Sequence, residues 1–262
     1  METATAILLV SFGTSYPGSK EKTIDRILEK TKEAFPGCKT YQAWTSRALI
    51  KAYKRKSGLA IPTIEEAMAA ITAGGITSLA VQPTHFMEGL EHEKMVHLVC
   101  QHTLPPLNVS FGAPLLSAAE DHASVLKAIA REFSWLPKDE ALVLMGHGSA
   151  GCASPAYAAL DNLLKSMGYG NFFLGCMEGI PSLDGIIQQT AQAKIKKIHL
   201  SPFLLAAGGH AHKDMAGDRE GSWKSRLESA GYEVECHFKG LGEYEEIQNI
   251  YIKHLRKAME RR

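Results

Sequence analysis

Two kinds of hydrophobic pattern alternate along the chain. Short apolar and β-branched runs predict buried strands, and the longer segments between them have the apolar spacing of amphipathic helices. Alternation of this kind is typical of βαβ units that build a mostly parallel sheet. The predicted strands cover residues 5–11, 40–43, 78–82, 108–111, 141–145, 171–176, 197–201 and 233–236. The predicted helices cover 19–35, two stretches between 48 and 73, 91–100, 117–133, 154–167, 182–193, 222–230 and 244–259.

The second half of the chain repeats the plan of the first. The segment VSFGTS in the first half matches MGHGSA in the second, which places Phe12 opposite His147. The segment LAVQPTHFMEGLEHEKM matches IHLSPFLLAAGGHAHKDM, which places Glu91 opposite His210. A repeat of this length indicates two similar structural units. Ligands of open α/β sheets bind beyond the carboxyl ends of the strands, which is where these segments lie.

We therefore predict an α/β protein of two similar Rossmann-like domains. Each should have a parallel four-stranded sheet flanked by helices, with an active-site cleft between the domains. The N-terminal domain is predicted at 1–135 and the C-terminal domain at 136–243. The final helix, at 244–262, is free to pack back on the first domain.

Charge and composition narrow the function. The chain of 262 residues carries 29 basic and 28 acidic side chains, so it has no global field of the kind that attracts nucleic acid or anionic membranes. Its five cysteines are scattered without a CxxC pair, which argues against a disulfide framework or a thiolate zinc site. The first apolar run follows an acidic residue and is too short for a leader. We expect a cytoplasmic protein, or a periplasmic one if a leader has been removed.

Three residues at predicted strand ends have the chemistry of metal ligands. His147 follows a strand and lies between two glycines, Glu178 follows the next strand, and His210 follows a third in a segment rich in Gly and His. Imidazole nitrogen suits Co, Ni, Fe and Zn, and its neutral form binds near pH 7. His212 is predicted to point away from His210, because residues two apart in an extended loop face opposite sides.

Each of these residues also has an interpretation without a metal. His147 can simply hydrogen-bond its turn, and Glu178 can be a solvated residue at a helix start. Gly146, Gly148 and Gly151 also spell the GxGxxG of dinucleotide binding, although the acidic residue after the next strand comes too late. A nicotinamide-dependent oxidoreductase is therefore one alternative. A tetrapyrrole or metal carrier without turnover is another.

The remaining histidines are interpreted more simply. His85 and His92 lie in the first-half loop that corresponds to the His210 loop, and they are weaker candidates for the same cleft. The others have no comparable context and are interpreted as ordinary: His97, His102, His122, His199, His237 and His254.

The motifs AILLVSFGTSY, LMGHGS, SPFLLAAGGHAHKDM and GDREGSW, together with the glutamate after the second strand of the second half, closely resemble the anaerobic sirohydrochlorin cobaltochelatases. These are class II chelatases, the group that includes protoporphyrin ferrochelatase. The resemblance covers nearly the whole chain. It implies two Rossmann-like domains around a cleft and ATP-independent insertion of Co²⁺ into sirohydrochlorin, in the oxygen-independent route to cobalamin. It implies Co²⁺ as substrate, with Fe²⁺ or Ni²⁺ as alternatives, and no organic cofactor.

The family's metal-binding His, Glu and His fall on His147, Glu178 and His210, while a second histidine such as His212 is not part of its signature. The expected partner is the tetrapyrrole, without nucleic acid or membrane, and a homo-oligomer is left open. From the chemistry of the reaction we also expect Glu178 and His210 to accept the departing pyrrole protons.

The substrate carboxylates should bind at strand-to-helix turns and to nearby cations. For these contacts we predict Ser11, Gly13, Thr14, His85, Gly148 and Ser149. Three cations are equally good candidates: Arg47, Lys213 and Arg219.

Overall fold

Two parallel sheets of four strands each form the framework of the protein. The computed structural model describes residues 4–148 and 153–260, except for the side chains of residues 153 and 154. The first sheet has the order β2-β1-β3-β4 and the second the order β6-β5-β7-β8. The strands are β1 (Thr5–Ser11), β2 (Lys39–Trp44), β3 (Ser78–Pro83), β4 (Asn108–Phe111), β5 (Glu140–Gly148), β6 (Phe172–Glu178), β7 (Lys197–Pro202) and β8 (Glu233–Cys236). The predicted fold class is thus confirmed at the level of each unit.

Helices connect the strands, as parallel pairing requires. They are α1 (Pro17–Lys22), α2 (Ile24–Ala34), α3 (Arg47–Ser57), α4 (Ile64–Ala73), α5 (Leu90–Gln101), α6 (Ala119–Glu132), α7 (Ala153–Ser166), α8 (Leu183–Gln192), α9 (Trp223–Ser229) and α10 (Glu245–Glu260). Two short turns add a π-helical segment at Ala211–Met215 and a 3-10 segment at Leu241–Glu243. Among the described residues, no helix is both long and apolar enough to cross a membrane.

The helix predicted at 19–35 is divided into α1 and α2. The backbone of Thr23 leaves the helical region at φ −124° and ψ −79°, and its hydroxyl donates to the carbonyl of Ser19. A threonine side chain that bonds the preceding turn often bends a helix, which accounts for the break.

The two sheets have equivalent registers. Val10 of β1 pairs with Pro83 of β3, and Met145 of β5 pairs with Pro202 of β7. The residue after each proline then donates its amide to the paired strand at 2.8 Å, from Thr84 to Val10 and from Phe203 to Met145. The repeat found in the sequence therefore corresponds to a structural repeat at the strand ends.

Contacts divide the chain into two compact units, Met1–Asp121 with Gly242–Arg262 and His122–Leu241. The C-terminal helix α10 belongs to the first unit, where Leu255 is fully buried against Ile7 and Ala80. The buried hydroxyl of Tyr251 donates to the carbonyl of Thr84 at 3.0 Å. Burial of these side chains provides the hydrophobic stabilisation that holds α10 in place.

The division between the units falls inside α6, whereas the sequence pattern predicts a boundary after residue 135. At the start of α6, Asp121 accepts a hydrogen bond from His254 of α10 at 3.0 Å. Just after its end, the Phe133 ring packs edge-on against His237, with centroids 5.1 Å apart. The two ends of this helix thus contact different units, which no pattern within the helix itself reveals.

Candidate metal centre at the strand ends of the second unit

His147 lies on β5 itself, one residue before the strand ends, and it is exposed. The neighbouring Gly148 has φ +75°, and a Cβ at this position would lie 1.9 Å from the carbonyl oxygen of Glu178. Only glycine fits there, because both the left-handed backbone and the close strand approach exclude a side chain. The His147 Nδ1 lies 3.0 Å from the carbonyl oxygen of Gly148. That contact requires a proton on Nδ1 and leaves the Nε2 lone pair of the neutral ring available to a metal.

His210 follows β7 and stands directly before the π-helical turn at Ala211–Met215. Its Nδ1 lies 2.8 Å from Oδ2 of Asp214, and Oδ1 of the same carboxylate accepts from Arg219 at 3.0 Å. A carboxylate bound to one ring nitrogen orients the imidazole and makes the other nitrogen a better ligand. Nε2 of His210 is therefore the atom presented for coordination.

The structure brings the two histidine rings together. Their centroids are 4.9 Å apart and their planes are nearly perpendicular, at 88°. Both rings are exposed, and both have Nδ1 engaged with an oxygen acceptor. Two imidazoles that present Nε2 at this separation can bind one borderline divalent ion.

Glu178 is at the same edge of the sheet, at the end of β6, where it pairs in register with Gly148. Its side chain is exposed. Glu178, His147 and His210 do not place one ligand atom each within 4.8 Å of one another. Among the described residues, the only group of three candidate ligands that meets this distance lies elsewhere. The backbone thus places Glu178 beside His147, and a side-chain rotation is needed to complete a three-ligand site.

The segment around His210 differs from the predicted extended loop. The backbone at His210 is helical, with φ −64° and ψ −41°. His212 lies about 200° further around such a turn, so it still points away from His210, but for a different reason. Its ring stacks on Phe238 with centroids 4.7 Å apart.

The first-unit residues predicted to bind substrate are mostly buried. Ser11 and Thr84 share a hydroxyl hydrogen bond of 2.9 Å, and Thr14 accepts from the amide of Tyr16 at 3.3 Å. Gly13 has φ +105°, and a Cβ there would lie 2.5 Å from the Trp44 ring. These residues build the turn after β1, since their side chains are used within it.

His85 differs from the second-unit histidines in its surroundings. Both of its ring nitrogens are buried, and neither has a hydrogen-bond partner among the described residues. Burial, assisted by the nearby His92, lowers the pKa of His85 to about 4. The ring is therefore neutral at pH 7, and its centroid is 6.1 Å from that of His92.

The remaining predicted positions fall into two groups. Ser149, like Gly151 of the GxGxxG segment, lies outside the described residues, whereas the backbone of Gly148 is described above. Among the cations, Arg47 pairs with Glu65 at 2.8 Å and Arg219 with Asp214 at 3.0 Å, while Lys213 is exposed next to the π-helical turn. Lys213 and Arg219 are thus the two of these cations that lie close to His210 in the chain.

Asp214 was not predicted from the sequence. It stands four residues after His210, the spacing that brings side chains together on a helix. That signal is hidden when the Gly-rich segment is interpreted as extended.

The structure is an α/β protein with two repeated parallel sheets, and one of them has a pair of imidazoles at its strand ends. SirB from Bacillus subtilis with Fe³⁺ has the same fold, with a TM-score of 0.67 and 18% identity over 97% of this chain and 95% of that one. A structure of the same protein with cobalt superposes with a TM-score of 0.65 at 17% identity, covering 98% and 95% of the two chains.

Sequence comparison gives the family. A profile described as cobalt chelatase (CbiK) matches residues 5–260. A sirohydrochlorin cobaltochelatase from Salmonella typhimurium is 34% identical over 256 residues, or 97% of this chain and 96% of that protein. Sirohydrochlorin cobaltochelatase CbiKC from Nitratidesulfovibrio vulgaris is 32% identical over 263 residues, or 98% and 91%. The chain belongs to the cobalt chelatase (CbiK) family.

Proposed function

We propose that this protein is a sirohydrochlorin cobaltochelatase, which inserts Co²⁺ into sirohydrochlorin without ATP. The observation that carries the proposal is the pair of exposed imidazoles, His147 and His210, whose Nδ1 atoms are both tied to oxygen acceptors. The identity of 34% to a sirohydrochlorin cobaltochelatase along almost the whole chain supports the choice of substrate. We assign the activity to the lyases, within cytoplasmic cobalamin synthesis.

In this proposal Nε2 of His147, Nε2 of His210 and the carboxylate of Glu178 hold the ion. Three protein ligands leave coordination positions open for the incoming ring nitrogens, as catalytic metal sites generally do. The exposure of Glu178 gives its side chain room to rotate onto the ion. A closed four-ligand site would retain the ion instead of transferring it.

The reaction exchanges one divalent ion for two pyrrole protons. As the ion passes to the ring nitrogens, the Glu178 carboxylate and Nε2 of His210 become free and each takes one proton. The Asp214 carboxylate next to Nδ1 of His210 stabilises the imidazolium that results. General-base catalysis of this kind typically contributes about 10²- to 10⁴-fold.

Binding of the substrate carboxylates falls to cations and backbone amides near the same edge. Lys213 is exposed, and the side chain of Arg219 is 72% exposed although it contacts Asp214. Arg219 would therefore have two roles, holding Asp214 against His210 and offering N–H donors to an anionic ligand. The amide of Gly148 contacts the Tyr157 hydroxyl, so a substrate carboxylate would have to replace that partner at the strand end.

Turnover tests the proposal directly. Protein at a tenth of the sirohydrochlorin concentration is mixed with Co²⁺, and the absorption shift of the macrocycle is followed with time. We expect conversion of the whole substrate pool at a rate above the protein-free control. Conversion limited to one equivalent per chain would indicate a carrier, and no acceleration would contradict the proposal. Parallel reactions with Fe²⁺ and Ni²⁺ give the metal preference.

A further inference from the structure

A second group of metal-ligand side chains lies on the same sheet but away from His147 and His210. It consists of His199 on β7, Glu235 on β8 and His237 just after β8, and one ligand atom from each lies within 4.8 Å of the others. His199 lies beside Leu142 of β5 in the sheet, five residues before His147 along that strand. Five strand residues span about 16 Å, so this group is separate from the proposed insertion site.

We propose that His199, Glu235 and His237 form a second site for a divalent transition-metal ion, which fastens the edge strand β8 to β7. Two imidazoles and one carboxylate make a ligand set suited to borderline ions such as Zn²⁺, Co²⁺ and Ni²⁺. Because β8 pairs with β7 alone, an ion bound between the two strands would tie down the edge of the sheet.

The spacing of the ligand atoms fits one ion. Nδ1 of His199 is 3.0 Å from Nε2 of His237 and 3.7 Å from Oε2 of Glu235. Nε2 of His237 is 3.8 Å from Oε1 of Glu235. A tetrahedral ion with bonds of about 2.05 Å separates its ligands by about 3.3 Å, so shifts of a few tenths of an ångström complete the site.

The carboxylate of Glu140 determines which nitrogen of His199 faces the other two ligands. Nε2 of His199 donates to Glu140 at 2.6 Å, which leaves Nδ1 with its lone pair directed at His237. Carboxylate, imidazole and ion in this order form the arrangement in which an outer carboxylate orients a metal-binding histidine. A neutral His237 ring binds an ion through Nε2 when its proton is on Nδ1.

The charged groups around the three ligands are compatible with a bound cation. Lys197 holds Oε2 of Glu235 at 2.7 Å and also contacts Glu233 at 3.3 Å, so it competes for the carboxylate. Oε1 of Glu235 stays available, and a carboxylate can bind an ion through one oxygen and an ammonium through the other. Glu140 adds negative charge on the far side of His199. Glu235 is 49% exposed, which provides a path for the ion.

The first unit offers a natural comparison, because its equivalent positions are Ala80, Ser110 and Gly112. Ala80 pairs with Ser110 as His199 pairs with Glu235, and the amide of Gly112 donates to β3 as that of His237 donates to β7, both at 2.8 Å. Neither an alanine methyl nor a glycine binds an ion. The sheet geometry therefore does not itself require ligand side chains at these positions.

Metal binding by the full-length chain tests the proposal. The parent protein carries His147→Ala and His210→Ala, so the proposed insertion site contributes nothing and failure of the proposed function leaves this test intact. Metal-free parent is titrated with Co²⁺, followed by its visible ligand-field absorption and by equilibrium dialysis. We expect one Co²⁺ per chain, and at least tenfold weaker binding when His237→Ala is added. His97→Ala, at an exposed histidine of the first unit, is the matched control and should change nothing.

A thermal measurement supplies the second readout. Zn²⁺ should raise the Tm of the parent protein, and this rise should disappear with His237→Ala. If His237→Ala does not fold, Glu235→Gln replaces it, because Glu235 is half-exposed and its substitution keeps the shape of the side chain. Two results overturn the proposal: a parent protein that binds no Co²⁺, and equal affinities with and without these substitutions.

Discussion

The two units have the same strand order and register, but their strand ends carry different chemistry. The position two residues after the Val10–Pro83 pair is Phe12, which is 46% exposed, and the equivalent position after the Met145–Pro202 pair is His147. In the second unit two exposed histidines meet, whereas in the first unit His85 is buried without a hydrogen-bond partner among the described residues. A repeated scaffold thus supplies equivalent positions, and single side chains decide which half offers metal-ligand chemistry.

The largest expected effect comes from removing the second-unit imidazoles. His147→Ala and His210→Ala should each lower the rate of cobalt insertion by about 10²- to 10⁴-fold, because each removes a metal ligand and His210 is also a proposed base. Steady-state assays with sirohydrochlorin measure the rate, and circular dichroism checks the fold. Phe12→Ala, at the equivalent first-unit position, is the matched control. An equally large loss of rate in Phe12→Ala would contradict the proposed difference between the two units.

The next largest effect is on the unfolding free energy, and it comes from a residue pair in the first unit that should not affect metal binding in the second. His254 and Asp121 form a buried pair, with side chains 4% and 2% exposed. Nδ1 of the same ring contacts the carbonyl oxygen of Ala113 at 3.0 Å. His254→Ala leaves the Asp121 carboxylate buried without this partner, which should cost about 3–5 kcal/mol of unfolding free energy.

Urea unfolding measures that change. The exposed pair of Arg26 and Glu29 supplies the control, since Arg26→Ala should cost about 0.5 kcal/mol or less. Below the unfolding transition, Co²⁺ binding at His147 and His210 should be unchanged in both variants. A cost for His254→Ala within 1 kcal/mol of that for Arg26→Ala would show that the pair is not important for stability.

A smaller effect tests whether the Asp214 carboxylate, which contacts Nδ1 of His210, supports metal binding. Asp214→Asn keeps the size of the side chain but removes the charge that orients and polarises the ring, so Co²⁺ affinity at the site should fall about 10- to 100-fold. Calorimetric titration measures the affinity. Asp218→Asn, in the same segment, is the control. If the two variants bind Co²⁺ equally well, the role of Asp214 is disproved.

The last expected effect is absent at pH 7 and appears only on acidification, and it belongs to the first unit. The pKa of His85 is about 4 in the folded protein and about 6.5 when exposed, so above pH 6.5 the ring is neutral in both states and has no effect. As the pH falls from 6.5 to 4, the unfolded chain takes up the proton first, and stability falls. The loss should be about 2–3 kcal/mol over this range.

Urea unfolding between pH 7 and pH 4 follows this loss. His85→Gln should flatten the pH dependence, whereas His97→Gln, at an exposed position, should preserve it. Identical profiles for the wild type and His85→Gln would mean that His85 is accessible to protons in the folded state.

The sequence predicts the elements well because the central strands are apolar runs buried by parallel pairing, while the edge strands β4 and β8 alternate polar and apolar residues. β1, β4 and β8 begin and end at the predicted residues. The break at Thr23 depends on one side chain-to-backbone bond, and the turn at Ala211–Met215 is only five residues long. Neither feature produces a periodic pattern.

The candidate site could likewise be predicted only where its residues have a recognisable position in the sequence pattern. His147 and His210 were predicted as ligands from their positions at strand ends, and the sheet register brings their rings together. Asp214 and the group of His199, Glu235 and His237 were not predicted. Their signals are the four-residue spacing of a helix that was interpreted as a loop, and a pairing between strands that only the register reveals.

The membership of α10 in the first unit affects how the protein is made. On the ribosome, the first sheet is synthesised long before the helix that covers Ile7 and Ala80, so this apolar surface stays open while the entire second unit emerges. The second unit lies within one uninterrupted stretch of chain and can acquire its structure earlier. Late completion makes the first unit the one more dependent on protection from aggregation during translation.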